Sequence, residues 1–293
     1  MKISVIGGDM RQIYLSNIMS EEKEVYIYGN EHEKLSSNVN VASTLEEALK
    51  DSHYIICPIP FSKDKKHIYA TNSKQKINYM DVFRLMKKDA YIFSGPYSKE
   101  VLKYASNNNI KLFDVVSDDE FAIHNSIPTA EGVISMMINS LPGTLSGSKC
   151  LVLGYGRCGM AITDLAIKHR MNVCVASVKD EELMEASINK CDTARIQGKK
   201  MKVIDYFNQK AIDNKNNYLD LHTFNYVINT IPVKLIDINL SKKLEDYIFI
   251  DIANVYNDTM NKFINARGIP GKYSPKSAAR IIYDVIDKVI GRS

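Results

Sequence analysis

The chain has 293 residues, of which 45% are hydrophobic and 25% charged, so it is long enough for two soluble globular domains with their own cores. The formal net charge is only +4 and the lysines are spread among acids, which argues against a nucleic-acid-binding surface. No apolar run reaches the roughly 18 residues of a membrane span, and the N-terminus has no signal-peptide pattern, so we expect a cytoplasmic protein.

Short apolar runs alternate with helical patterns before residue 117. The runs at 2–7, 24–29, 53–60, 90–95 and 110–116 predict strands, and the stretches near 10–20, 44–51, 78–87 and 98–108 predict helices. This alternation is typical of a doubly wound parallel sheet. We therefore expect an N-terminal α/β domain over residues 1–126.

A longer helical pattern follows in PTAEGVISMMINS (128–140), where Pro128 suits a first turn. The turn formers of LPGTLSGS come next. These features predict a connecting helix and hinge over residues 127–146.

The segment KCLVLGYGRCGMAITDLA (149–166) places a Gly-rich turn between a buried strand and an amphipathic helix. Gly154, Gly156 and Gly159 fit the pattern G-x-G-x-x-G, in which the first glycine permits a tight turn and the second admits a pyrophosphate. The third lets the helix pack closely on the strand. The context predicts a dinucleotide-binding site here.

The alternation then resumes, with strands predicted at 172–178, 224–232 and 247–254 and helices near 180–190 and 257–266. We expect a Rossmann domain over residues 147–274. A last helix over 275–293 presents one apolar face that can pack back across the domain junction. The fold class is therefore α/β, with two doubly wound parallel-sheet domains, the second of them a Rossmann dinucleotide-binding domain.

The first strand is followed by GGDMRQ, which does not return to the full glycine pattern. Asp9 would face the start of the next helix and repel a pyrophosphate. The first domain is thus expected to bind the substrate and the second the cofactor.

The identity of the cofactor depends on the end of the second strand of the Rossmann domain. NAD-binding proteins usually carry an acidic residue there, whereas this chain has Ser177 and Lys179, which suit a 2′-phosphate. We expect NADP, with NAD as the alternative.

Two other dehydrogenase signatures fit poorly. Tyr206 and Lys210 have the spacing of the short-chain dehydrogenase pair but stand in a polar segment far from the expected position. None of the six histidines follows Asn229, which weakens the interpretation as a 2-hydroxy-acid dehydrogenase. The five cysteines are scattered without metal-ligand spacing, so we expect free thiols and no metal site.

Five segments in the same order resemble the A subunit family of bacterial dipicolinate synthase. They are GGDMRQ (7–12), NSIPTAEG (125–132), LVLGYGRCGM (151–160), NTIP (229–232) and GIPGKYSPKSA (268–278). The chain departs from the family at 251–257, where the family usually has a Gly-rich stretch.

The resemblance implies a sporulation oxidoreductase of the mother cell. It would convert a cyclic lysine-pathway intermediate, hydroxy-tetrahydrodipicolinate or dihydrodipicolinate, to dipicolinate, and its partner would be a flavoprotein-like B subunit. A stand-alone NADP-dependent dehydrogenase of a small oxo or hydroxy acid, and a non-catalytic nucleotide-sensing protein, are the alternatives. The possibility of a homo-oligomer is left open.

The candidate site residues follow from these segments. The catalytic candidates are Lys272, Glu131 and Thr129; the substrate-binding candidates are Arg11 and Ser94, expected from the domain opposite Ser274 and Lys276; and the cofactor candidates are Gly154, Gly156, Arg157, Cys158, Gly159, Ser177, Lys179, Thr230, Ile231 and Pro232. A dicarboxylate needs two separated groups of cations or N–H donors, which is why the lysines around Ser274 are singled out.

Overall fold

A computed structural model describes residues 1–140, 143–198, 200–203, 221–235, 247–256 and 262–291. The chain divides into two units, each built on its own sheet. The first unit is Met1–Asn125 with Pro270–Ser293, and the second is Ser126–Ile269. Within the described part of the chain, no helix is long and apolar enough to cross a membrane.

Thirteen strands are found among the described residues, and all sheet pairings but one are parallel. They are β1 (Lys2–Ile6), β2 (Glu24–Tyr28), β3 (Val39–Val41), β4 (Tyr54–Ile56), β5 (Tyr91–Ser94), β6 (Lys111–Asp114), β7 (Lys149–Leu153), β8 (Asn172–Ser177), β9 (Asp192–Gln197), β10 (Lys200–Val203), β11 (Tyr226–Asn229), β12 (Ile248–Asp251) and β13 (Phe263–Asn265). The exception is β10, which pairs antiparallel with β9.

The helices of the same residues flank these sheets. They are α1 (Met10–Met19), α2 (Leu45–Leu49), α3 (Tyr79–Leu85), α4 (Lys99–Asn107), α5 (Asp119–Ser140), α6 (Arg157–Lys168), α7 (Asp180–Ile188), α8 (Ile269–Tyr273) and α9 (Pro275–Ile290).

The two sheets share one strand order. The first runs β3-β2-β1-β4-β5-β6, and the second runs β10-β9-β8-β7-β11-β12-β13, which is the same arrangement with β10 added at one edge. In each sheet the first strand leads to a neighbour on one side, and the chain later returns to the other side. In sheets of this topology ligands generally bind at the carboxyl ends of the strands beside the switch point, which here lies next to β1 in one unit and next to β7 in the other. The predicted fold class is confirmed.

The C-terminal helix belongs to the core of the first unit. On α9, Ile282, Val285 and Ile286 are buried in a cluster with Ile13 and Leu15 of α1. At the edge of this cluster, the largely buried Lys23 Nζ lies 2.6 Å from Asp287 Oδ1. The apolar face that the sequence predicts for this helix is therefore the face that packs against α1.

Several elements differ from the expectations. The helix predicted from Pro128 begins nine residues earlier, because the Asp118 side chain accepts a hydrogen bond from Phe121 N and starts α5 there. Pro128 thus lies inside the helix rather than in its first turn. Part of the helix predicted near 257–266 is the strand β13, and residues 257–261 lie outside the described residues.

Candidate functional site

The turn between β7 and α6 brings three glycines together under different constraints. Gly154 has φ +90°, and a Cβ there would lie 2.6 Å from Thr230 Oγ1. A Cβ on Gly159 would lie 2.2 Å from Gly154 O, so this glycine allows α6 to pack against the end of β7. A Cβ on Gly156 would meet no atom within 4 Å. The backbone at Gly156 is therefore open to a ligand.

The first turns of α6 and α1 differ in their capping. Gly156 is the N-cap of α6 and makes no side-chain hydrogen bond. In α1 the Asp9 carboxylate accepts from Arg11 N, and the Gln12 side chain accepts from Asp9 N in return. The start of α6 can therefore receive an anion, whereas the start of α1 already holds a carboxylate.

The loop after β11 packs beside the glycine turn. Thr230 Oγ1 donates a hydrogen bond of 2.7 Å to Leu153 O, and Ile231 N donates to Asn229 Oδ1 at 3.2 Å. Pro232 is exposed at the end of this segment. Thr230 and Ile231 thus form one wall of the turn, since both would contact a side chain at Gly154.

The Asp251 carboxylate, which the sequence reasoning passed over, organises the neighbouring strand end. This residue is fully buried, and Asn229 Nδ2 donates to its Oδ1 at 2.9 Å. Its two oxygens also accept backbone N–H groups from residues 254–256. The segment that departs from the family pattern is therefore anchored through Asp251 up to residue 256, and residue 257 lies outside the described residues.

A carboxylate also lies beside the end of β8, although none of the strand-end residues 175–179 is acidic. Glu182, on the first turn of α7, accepts hydrogen bonds from Ser177 Oγ at 2.5 Å and from Lys179 Nζ at 2.9 Å. Tyr155 N, in the glycine turn, points to the same carboxylate at 3.4 Å. The strand-end pattern in the sequence does not include Glu182, because this acid lies three residues beyond Lys179 on the next helix and folds back to the strand end.

The pKa of Glu182 reflects this environment. Burial alone would raise it, but hydrogen bonds from Ser177 and Lys179, with the charge of Lys179, lower the pKa below its ordinary value. The carboxylate is therefore ionised at neutral pH. Both residues expected to receive a 2′-phosphate are already engaged by it.

Arg157 and Cys158 begin α6. Arg157 is exposed, and Cys158 is half-buried and free. Burial raises the pKa of the Cys158 thiol although the charge of Arg157 opposes the shift, so the thiol is protonated at neutral pH. Among the described residues, no group of three or more His, Cys, Asp or Glu side chains could hold a metal ion. Tyr206 and Lys210 lie outside the described residues.

At the switch point of the first unit lies an internally paired arginine. Arg11 is buried; its Nε donates to Asp9 Oδ1 at 2.9 Å and its Nη2 to Asp9 Oδ2 at 2.8 Å. A third hydrogen bond runs from Nη2 to Ile59 O, after β4. A substrate carboxylate would have to compete with Asp9 for this guanidinium.

Ser94, at the end of β5, is also occupied. It is buried, and its hydroxyl donates to Pro58 O in the loop after β4. The hydroxyl can still accept a hydrogen bond but has no proton to offer a carboxylate in this arrangement. Ser94 therefore connects the end of β5 to the loop after β4.

The segment around Lys272 lies against the Asp9–Arg11 pair, within the same unit. A Cβ on Gly271 would lie 2.9 Å from Arg11 Nε and 3.3 Å from Asp9 Oδ2. The sequence placed Arg11 and Ser94 in the domain opposite this segment; residues from Pro270 onward instead belong to the first unit, because α9 packs on α1.

The polar side chains of this segment are accessible. Lys272 and Lys276 are exposed and form no ion pair with any residue that the structure describes. Ser274 is the N-cap of α9 and makes no side-chain capping bond, and Pro275 is the first helical residue, as expected. Thr129 and Glu131 lie in the second unit on α5, the first buried and the second exposed.

The amino-acid sequence of this chain is similar to those of known proteins. Residues 2–116 match the family model of the N-terminal domain of the dipicolinate synthase A subunit. The A subunit of dipicolinate synthase from Bacillus subtilis (strain 168) is 27% identical over 305 residues, covering 99% of this chain and 96% of that protein. The chain is therefore similar to dipicolinate synthase A subunits over nearly its whole length. The resemblance predicted from the five segments is confirmed.

Comparison with solved structures shows that proteins of known structure share this fold. The crystal structure of the dipicolinate synthase A subunit from Bacillus halodurans superimposes with a TM-score of 0.81 at 23% identity, covering 98% of this chain and 97% of that one. An L-alanine dehydrogenase gives a TM-score of 0.59 at 12% identity, covering 99% and 89%. Both units thus share the α/β fold of these structures.

Proposed function

We propose that this chain is the A subunit of a dipicolinate synthase, an NAD(P)-dependent oxidoreductase that forms dipicolinate from a cyclic lysine-pathway intermediate. The similarity to the Bacillus subtilis protein over nearly the whole chain carries the proposal. The name of that relative also implies a second subunit, which we propose to be a flavoprotein-like B subunit.

The dinucleotide is proposed to bind at the turn after β7. The residues there fit the group, because Gly156 leaves space over the backbone and the start of α6 has no side-chain cap. Gly154, Gly156 and the N–H groups beginning at Arg157 would hold the pyrophosphate. Thr230, Ile231 and Pro232 would border the cofactor on the β11 side. A bound nicotinamide supplies a hydride acceptor.

The reaction requires little from the protein beyond orientation and proton transfer. Loss of water from hydroxy-tetrahydrodipicolinate gives a dihydropyridine, and loss of a hydride and a proton from that ring gives the aromatic dipicolinate. Aromatisation makes the oxidation favourable. In the first unit we propose Lys272 as a catalytic group that contacts the substrate, with Ser274 and Lys276 binding a carboxylate. In the second unit we propose Thr129 and Glu131 as catalytic groups.

The choice between NADP and NAD stays a prediction. Ser177 and Lys179 favour NADP by their chemistry, yet each is bonded to Glu182. A 2′-phosphate would need Lys179 to leave that carboxylate.

The test is reconstitution of the reaction. The purified chain, with and without the B subunit, is mixed with the lysine-pathway intermediate and NADP or NAD, and dipicolinate is followed by its ultraviolet absorbance. We expect dipicolinate only when the chain and a dinucleotide are both present. Cofactor binding without dipicolinate under any condition would favour the nucleotide-sensing role, and turnover of small oxo or hydroxy acids instead would favour the stand-alone dehydrogenase.

A further inference from the structure

The charges around the end of β8 are paired before any ligand arrives. Glu182 holds Lys179, and Asp180 pairs with Arg195, which extends from β9 and also donates to Val178 O at 3.2 Å. Both carboxylates come from the first turn of α7. The two cations nearest the strand end are therefore each held by an acid.

Glu182 differs from its neighbours in its position over the glycine turn. Its carboxylate lies within 3.4 Å of Tyr155 N and 2.5 Å of the buried Ser177 hydroxyl, so it lies between β8 and the turn after β7. Its side chain is only 19% exposed, whereas Glu181 is exposed. In Rossmann domains this is where an acid at the strand end accepts hydrogen bonds from the adenosine ribose.

We propose that Glu182 determines which dinucleotide binds: its carboxylate accepts a hydrogen bond from the ribose 2′-hydroxyl of NAD and repels the 2′-phosphate of NADP. The inference rests on the proposed binding of a dinucleotide at the glycine turn. A phosphate at the 2′ position would face the carboxylate directly, and the same carboxylate withholds Lys179 from it. Glu182 thus acts against NADP by repulsion and by sequestering the cation.

The test compares affinities for NAD and NADP in four proteins: the wild type, Glu182→Gln, Lys179→Ala and the double variant. Glutamine keeps the shape of the side chain and can still accept from Ser177 and Tyr155. Removal of the negative charge should raise the NADP-to-NAD affinity ratio by about tenfold or more, as expected for a charge-assisted contact to phosphate. In the double variant the NADP-to-NAD affinity ratio should be lower than in Glu182→Gln, because Lys179 is no longer present to bind the 2′-phosphate.

Glu181→Gln is the matched control, because it removes the same charge from the same helical turn at an exposed position. Its affinity ratio should stay within about twofold of the wild type, since an exposed charge is screened by salt. Thermal unfolding of each variant checks the fold. A ratio that does not change in folded Glu182→Gln, or that changes equally in Glu181→Gln, overturns the inference. If the wild type binds neither dinucleotide, it is the proposed function that fails.

Discussion

Replacing Gly156 with valine separates binding from folding at the glycine turn. A Cβ at this position meets no atom within 4 Å, and φ is −75°, a value that valine adopts without strain. Loss of glycine at the N-cap costs about 1 kcal/mol, and the lower entropy of the unfolded chain returns about 0.4–1 kcal/mol. The free energy of unfolding should therefore change by less than about 1 kcal/mol.

The same side chain stands where the pyrophosphate approaches. We expect dinucleotide affinity to fall by about a hundredfold or more, which is roughly 2.7 kcal/mol of binding free energy. Isothermal titration calorimetry with NADPH and NADH measures the loss, and a thermal melt measures the stability.

Two further glycines serve as controls. Gly143→Val, in the same unit, also places its Cβ in open space and should leave both affinity and stability unchanged. Gly159→Ala should unfold the second unit more easily, because its Cβ would lie 2.2 Å from Gly154 O. Wild-type affinity in a folded Gly156→Val protein would refute dinucleotide binding at this turn.

Three other outcomes are expected. Lys272→Ala should lower dipicolinate turnover at limiting substrate while leaving NADPH affinity unchanged, with the exposed Lys168→Ala as control; equal turnover would remove Lys272 from the site. Gly271→Ala should lower the free energy of unfolding by about 1–3 kcal/mol, measured in urea, because its Cβ must displace the Arg11 guanidinium that Asp9 holds in place. Thiol reagents should react slowly at pH 7.5 and faster toward pH 10 at Cys158, whose pKa burial raises, and NADPH should slow that reaction; a rapid reaction at pH 7.5 would contradict the burial.

The sequence predicts the strands whose residues form a continuous apolar run and misses those that polar residues interrupt. Alternating apolar runs give the major strands of both sheets, because burial on two faces leaves a continuous apolar signal. Strands β3, β9 and β13 carry too little of that signal, because polar residues interrupt each of them. Strand β10 lies at a sheet edge, and its antiparallel pairing has no counterpart in the βα alternation.

The sequence predicted the parts of the candidate site that depend on backbone geometry. It did not predict the contacts between side chains that only the folded structure brings together. Spacing alone gave the tasks of Gly154 and Gly159, because a turn of that shape excludes a Cβ at both positions. Glu182 and the Asp9–Arg11 pair were missed for the same reason. In the sequence Lys179 and Arg11 look available to an anionic ligand, but in the structure Glu182 and Asp9 already form ion pairs with them. A basic residue near a strand end indicates an anion site only if no acid in the next helical turn can reach it.

The common strand order of the two sheets shows how one architecture can serve two tasks. Both switch points place a helix start beside the first strand, so topology alone would assign a dinucleotide to either. What differs is the residue at the N-cap. Asp9 uses its carboxylate to cap α1 and to hold Arg11, which excludes a pyrophosphate there, whereas Gly156 leaves the start of α6 uncapped. We therefore propose that this capping position separates the unit that binds the cofactor from the unit left for another ligand.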